Sequence, residues 1–297
     1  MNINEITNIL LGQNYISNKR IDFAVSASIN DNIPLLIEGA PGTGKTALAK
    51  AVADALNLPL LRVQMYEGVD ASKVLYDYDY QKQLLTIEAI KSSLEDQLKG
   101  KDVEAAMDYV KHIDFYGKEF LIERPVLKSI MGNQKYVLLI DEIDKASEEL
   151  EYSLLEVLDE FAMTIPQFGN ISCPEEMRPI VFITSNNYRD LSEAFKRRCN
   201  YLYIQPKTAE EIETILEHKT SANKALQESI SRLLVQVSNM NLKQTPSIAE
   251  AINWAEYLAK NIDDLKDLPN TLTFIAKNKN DENKIKNCKA FKEFTLE

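Results

Sequence analysis

Gly39-Ala40-Pro41-Gly42-Thr43-Gly44-Lys45-Thr46 follows the apolar run Pro34-Leu35-Leu36-Ile37 and leads into Ala47-Leu48-Ala49-Lys50-Ala51-Val52, a segment of helix formers. A strand that turns through glycines into a helix start leaves several backbone N–H groups free and converging, with no side chain blocking an approaching phosphate. The loop therefore reads as a cradle for a nucleoside triphosphate, bounded by Ala47 on the helix side. Lys45 reaches the outer phosphates and the Thr46 hydroxyl takes Mg²⁺. The chain holds only 9 glycines, so three of them within this one loop are not incidental. The competing reading, a glycine turn with a solvated lysine, does not account for the strand before it and the helix after it.

Binding a triphosphate is not hydrolysing it, and the next apolar run bears on that. Tyr136-Val137-Leu138-Leu139-Ile140 ends in Asp141-Glu142, as a buried parallel strand delivering two carboxylates at its C-terminal edge would read. Asp141 is suited to organise Mg²⁺, which keeps much of its water shell and prefers carboxylate oxygens. Glu142 is suited to polarise a water for in-line attack on a γ-phosphate. The alternative is that these acids, with Asp144, only favour the start of the following helix, where Ser147 is a good N-cap.

A third run, Pro179-Ile180-Val181-Phe182-Ile183-Thr184, ends in Ser185-Asn186-Asn187. Asn186 can bond a γ-phosphate or an attacking water without adding charge; the plainer reading is a turn-forming Asn-Asn pair. Downstream, Asp190-Leu191-Ser192-Glu193-Ala194-Phe195-Lys196-Arg197-Arg198-Cys199 is a short amphipathic segment with three cations at its end. Those cations complement a helix dipole, or one of them, Arg198 first and Arg197 second, acts as an arginine finger.

Strand-like runs over residues 34–37, 60–64, 136–140, 179–184 and 201–204 alternate with helical patterns, which predicts an α/β fold with a five-stranded parallel sheet. In residues 148–161, Leu150, Leu154, Leu155, Val157, Leu158 and Phe161 form one apolar stripe of a helix. The expected organisation is a nucleotide-binding core over residues 1–205, a helical lid over 206–279 with helices at 209–220, 225–237 and 247–258, and a charged, solvated tail over 280–297. Two insertions interrupt the core. Residues 84–117 place Ile87, Ile90, Leu94 and Leu98 at amphipathic helical spacing, and residues 163–179 suit a hairpin. Tyr76, Tyr78 and Tyr80 alternate with aspartates, so a strand there puts the aromatics on one face, either for a pore-facing loop or for packing at the sheet edge.

With 297 residues the chain suits one large domain and a small one. No apolar run is long enough to span a bilayer, and the first residues lack the basic start of a secretory signal, which predicts a cytoplasmic protein. Cys173, Cys199 and Cys288 are scattered and odd in number, which disfavours disulfides and a zinc site. His112 and His218 read as structural. A formal net charge of −11 disfavours generic duplex binding.

The four landmarks, in this order and spacing, resemble an AAA+ ATPase: Walker A at residues 39–46, Walker B at 137–142, sensor 1 at Asn186 and an arginine finger at Arg198 or Arg197. Within that superfamily the chain resembles the MoxR type, in particular the CoxD-like subgroup that partners von Willebrand factor A domain proteins. Tyr66-Glu67-Gly68-Val69-Asp70, Tyr78-Asp79-Tyr80-Gln81-Lys82-Gln83-Leu84-Leu85, Phe120-Leu121-Ile122-Glu123-Arg124-Pro125-Val126-Leu127 and Thr164-Ile165-Pro166-Gln167-Phe168-Gly169 carry that likeness. The resemblance implies ATP and Mg²⁺ as cofactors, Ile16 among the nucleotide contacts, a helix 2 insert at 84–117 and a homo-oligomeric, hexameric ring acting on a protein client. A nucleic-acid motor, a metal chelatase subunit and a non-hydrolysing nucleotide switch are the alternative functions. One departure stands out: Thr245-Pro246-Ser247-Ile248-Ala249-Glu250-Ala251-Ile252-Asn253-Trp254 lacks a sensor 2 arginine, so either Lys243 or a neighbouring subunit supplies that charge or lid closure is less tightly coupled to the γ-phosphate.

Overall fold

The computed structural model describes residues 1–97, 114–132, 134–261 and 264–296. Two helices, α1 (Ile3–Gly12) and α2 (Lys19–Asn30), precede the first strand. Then β1 (Leu35–Glu38) turns through the glycine-rich loop into α3 (Lys45–Ala55). The remaining strands of the main sheet are β2 (Leu60–Gln64), β5 (Val137–Asp141), β8 (Ile180–Ser185) and β9 (Asn200–Tyr203). Between β2 and β5 lie α4 (Ala71–Val74), β3 (Tyr76–Tyr78), α5 (Tyr80–Gln97), β4 (Leu121–Glu123) and α6 (Pro125–Met131). Between β5 and β8 lie α7 (Glu148–Glu160) and the β6 (Ala162–Ile165) to β7 (Gly169–Ser172) hairpin.

The five long strands form one parallel sheet in the order β2-β5-β8-β1-β9. The three central strands are apolar along nearly their whole length because helices cover both faces. Alternation then sorts side chains by face. Leu36, Leu138, Ile140, Val181 and Ile183 pack with Leu150, Leu154 and Leu158 of α7. On the other face, Leu35, Ile37, Val137, Leu139 and Phe182 pack with Ile6, Val25, Leu48 and Val52 of α1 to α3. This is the three-layer αβα arrangement of a P-loop NTPase. It also makes β5, β8 and β1 neighbours, so their carboxyl ends share one rim. Each of these strands runs one residue further than its apolar pattern predicts.

After β9 the chain is helical: α8 (Glu193–Lys196) precedes that strand, and α9 (Ala209–Lys219), α10 (Lys224–Ser238) and α11 (Ile248–Asn261) follow it. Their apolar faces meet around Trp254, which is fully buried and donates its indole N–H to Thr271 Oγ1 at 2.8 Å.

The solvated tail expected over 280–297 is corrected by the structure. Residues Lys279–Asn287 form α12, capped by Asn278, and Lys289–Lys292 form α13. Ile285, Cys288 and Phe294 are buried in the same core as Trp254, with the Trp254 and Phe294 rings 5.5 Å apart. Asp281, Ile285 and Cys288 recur at i, i+4 and i+7, one narrow stripe that the surrounding Lys, Asn and Glu obscure in the composition.

The insertion at 84–117 also differs from its expected stripe. Its helix starts earlier, at Tyr80, and of the expected stripe Ile87 is exposed and Ile90 half-buried, with Leu84 and Leu85 beside them exposed as well. Leu98 and His112 lie outside the described residues. Of the three tyrosines, Tyr78 is buried and donates its hydroxyl to the Pro166 carbonyl at 3.1 Å, while Tyr80 is exposed on α5. They therefore do not share one face. Among the described residues, no helix is long and apolar enough to cross a membrane.

Candidate active site

Backbone geometry sets the phosphate loop. Gly42 and Gly44 have φ of +79° and +96°, a region that L side chains rarely adopt. A Cβ on Gly42 would lie 2.7 Å from Ser247 Cβ, so the start of α11 packs directly against the loop. Lys45 opens α3 and turns back over the loop, donating to the carbonyls of Gly39 at 2.7 Å and Ala40 at 2.9 Å. Burial lowers the Lys45 ammonium from its ordinary value, while Asp144, Asp141 and Glu142 pull it back up.

Lys45 also donates to Asn186 Oδ1 at 2.8 Å, and Asn186 Nδ2 donates to Glu142 Oε1 at 3.1 Å. One hydrogen-bonded line thus joins residues 45, 186 and 142 across three adjacent strand ends. Thr46 donates its hydroxyl to Asp141 Oδ1 at 3.0 Å. A hydroxyl and a buried carboxylate are hard oxygen donors, a set that fits Mg²⁺, which takes few protein ligands and fills its shell with waters and phosphates. Among the described residues no group of three His, Cys, Asp or Glu could hold a metal alone.

Glu142 leaves the strand with φ +59°, a strained conformation for a non-glycine residue. Its N–H donates to Thr184 Oγ1 at 2.9 Å, and that hydroxyl donates to Asp141 Oδ1 at 2.5 Å. One threonine on β8 therefore orients both acids. The Glu142 carboxylate also accepts from Gln64 Nε2 at 2.8 Å and Lys145 Nζ at 2.7 Å; the bond to Glu142 raises the Lys145 ammonium. Asp144 does not serve the next helix, whose N-cap is Ser147. Its Oδ2 accepts from the backbone N–H of Asn186 at 3.1 Å and of Tyr188 at 3.0 Å, fixing the turn after β8.

A cavity of about 460 Å³ joins Pro41 through Ala47, Asp141, Glu142 and Asn186 to Ile16 and to Ile215, Ile248 and Ile252 of the helical region. Its apolar end is suited to a flat base. The Tyr15 hydroxyl lies buried at this cavity with no hydrogen-bond partner among the described residues, and burial, with Glu211 and Asp22 nearby, pushes it well above the ordinary tyrosine value. Lys243 is not among the cavity-lining residues; Lys207, whose side chain is 7 % exposed and bonds Glu211, is. Arg197 and Arg198 do not line it either. Arg198 is tied to Asp159 at 3.2 Å and to the Ala194 carbonyl at 2.9 Å, whereas Arg197 is 80 % exposed and, among the described residues, its ion-pair contact is with Glu193 at 3.9 Å.

Sequence reasoning missed Arg62, Gln64, Lys145, Thr184 and Lys207. Gln64 and Arg62 sit two apart on β2, which puts them on one face, but nothing in the sequence says that β2 neighbours β5. Lys145 alone had a local signal, three residues after Glu142.

Residues 34–199, more than half of the chain, match the family model described as AAA domain (dynein-related subfamily). The chain is 25% identical over 261 residues to a protein named Midasin from Giardia intestinalis, covering 85% of this chain and 5% of that one. It is 25% identical over 194 residues to a Lon protease from Mycoplasma mobile, covering 63% of this chain and 19% of the relative. It is 26% identical over 207 residues to a Lon protease from Metamycoplasma arthritidis, covering 68% and 20%. The chain thus spans a fifth or less of the length of these curated relatives.

Proposed function

This chain belongs to the AAA domain family of the dynein-related subfamily, and from that premise we propose that it is a MoxR-type ATP hydrolase working in a ring. ATP and Mg²⁺ are its cofactors in this reading. Bound Mg²⁺ neutralises charge on the β- and γ-phosphates. Gly39 through Thr46 with Ala47 cradle the phosphates, Ile16 meets the nucleoside end, and Thr46 and Asp141 hold the metal. Glu142 takes the proton of the attacking water; Oε1 accepts from Asn186 alone among the described side chains, which leaves that oxygen room for a water. Asn186 links the phosphate-binding lysine to that base. The observation that carries this reading is the Lys45–Asn186–Glu142 line, at 2.8 and 3.1 Å.

The ring, hexameric by resemblance, brings an arginine of one subunit to the next subunit's γ-phosphate. The exposure of Arg197 supports it as the reaching side chain, with Arg198 second, the reverse of the order that position alone suggests. Lid motion then remodels or matures a protein client in the cytoplasm, with a von Willebrand factor A domain protein as adaptor. The net charge of −11 supports a protein client over nucleic acid.

The test is ATP turnover at rising protein concentration, with nucleotide affinity measured in parallel. Glu142→Gln should keep ATP and Mg²⁺ binding and lose turnover by about 10²–10⁴-fold, whereas Lys45→Ala should lose affinity as well. Mixing inactive Glu142→Gln with inactive Arg197→Ala or Arg198→Ala subunits should restore some activity, because certain interfaces then pair an intact base with an intact arginine. Near wild-type turnover by Glu142→Gln would sink the role of the base. No recovery in verified mixed rings would remove both arginines from the shared site.

A further inference from the structure

Arg62 lies on β2, an edge strand of the sheet, and reaches across to Asp141 on the neighbouring strand. Its guanidinium donates to Asp141 Oδ2 twice, from Nε at 3.0 Å and from a terminal nitrogen at 2.5 Å. The carboxylate is 4 % exposed and the arginine 45 %. The two oxygens of Asp141 thus divide their work. Oδ1 receives the Thr46 and Thr184 hydroxyls, and Oδ2 receives only the guanidinium among the described residues.

A buried carboxylate without a counter-charge is costly, and of the cations near Asp141, Lys45 and Arg62, Arg62 is the one that bonds it among the described residues. Arg62 does so from the same cavity that holds Thr46, and a half-exposed side chain on an edge strand can leave without opening the core. A divalent cation bound between Thr46 and Asp141 needs this same carboxylate and brings its own charge. Two cations held against one carboxylate repel each other.

We propose that Arg62 is a built-in counter-cation that competes with the divalent metal for Asp141, so that metal–nucleotide binding requires Arg62 to give up Oδ2. The inference rests on the reading of Asp141 as a metal-site acid. Arg62 is then a positioning residue: it holds the acid in place and sets the metal concentration at which the site loads.

The test is an equilibrium one. ATP binding is followed by calorimetry while Mg²⁺ is titrated, and Mn²⁺ binding is followed by electron paramagnetic resonance, neither of which depends on turnover. Arg62→Met should lower the half-saturating Mg²⁺ roughly fivefold or more, the lower end of typical coupling between two binding events. Arg62→Lys keeps the charge but replaces the two-pronged hold by a single point contact, and it should fall between Met and wild type. An unchanged or raised half-saturation in Arg62→Met overturns the proposal. A lysine variant matching wild type while the methionine variant shifts also overturns it, because general charge rather than competition at Oδ2 would then be the cause. Should Arg62→Met not fold, the lysine variant decides alone, a lowered half-saturation supporting the proposal and an unchanged one overturning it. A wild-type chain that binds no ATP at any Mg²⁺ concentration fails the functional reading together with the inference; normal wild-type binding with unaltered variants fails the inference only.

Discussion

At the rim of the sheet Asp141 is buried and held by the side chains of Thr46, Thr184 and Arg62. In the helical C-terminal region Asp281 is as deeply buried, yet it is held by the backbone N–H groups of Lys243 and Gln244, each at 3.0 Å, and by Asn278 Nδ2 at 2.7 Å. Side-chain partners can rotate away and be exchanged; backbone partners leave only if the loop unfolds. In the proposed reading the first carboxylate is mounted for chemistry, and the second for structure. The same split runs through both regions. The rim carries a strained Glu142 at φ +59° and a Tyr15 hydroxyl unpartnered among the described residues, whereas the helical region centres on a buried Trp254 whose indole N–H is satisfied.

The largest effect expected from this contrast is on stability, in the helical region. Trp254→Ala removes the largest fully buried side chain and leaves Thr271 without its donor, and should cost about 3–5 kcal/mol in denaturant unfolding followed by circular dichroism. A loss below about 1 kcal/mol would break the comparison, because the helical core would then not rest on that residue.

A smaller effect belongs to the rim. Thr184→Val keeps the shape but deletes the hydroxyl that Asp141 and the Glu142 N–H share, at a cost of about 1–3 kcal/mol. Turnover at saturating ATP should fall further than affinity does, since the residue orients both acids and lies beside rather than on the phosphate loop. Equal loss in affinity and turnover would make Thr184 an ordinary core residue.

The smallest effect is a pH dependence at Asp281. Burial pushes this carboxyl up, but the Lys243 N–H, the Asn278 amide and the Gln244 N–H together outweigh it and leave it below its ordinary value. A depressed folded value contributes stability above the unfolded value of about 3.9, and loses it as pH falls through the folded value. Asp281→Asn should therefore be less stable than wild type near neutrality, with the gap closing as pH drops below about 4. The fluorescence of Trp254, the single tryptophan, reports the melt. A gap that stays constant down to acid pH would sharpen the contrast differently, by showing that shape and not charge holds the loop.

The motifs that lie in continuous stretches were legible before the fold was known. Gly39 through Thr46, Asp141-Glu142 and Asn186 each sit where an apolar run ends, because a buried strand and the loop that leaves it are written side by side in the chain. The same locality explains the helical stripe of α7. The charged run at 280–297 misled because, among its described residues, the fully buried apolar side chains are just Ile285, Cys288 and Phe294, with Ala290, Phe291 and Leu296 half-buried beside them, too few to outweigh the composition. The exposed Ile87 misled in the opposite sense, since helical spacing says which residues share a face but not whether anything covers it.

By itself, then, the sequence determined that alternating strands and helices build a parallel α/β sheet and that a glycine loop, two acids and an asparagine stand at strand ends. Only the tertiary structure decided that β5, β8 and β1 are neighbours, and with them that Lys45, Asn186 and Glu142 form one line. It alone set Arg62 and Gln64 of β2 against the acids of β5, and Arg197 more freely exposed than Arg198. The physical reason is distance along the chain: local propensity and periodicity act over a few residues, whereas the pairing of strands separated by tens of residues is settled by which faces bury each other.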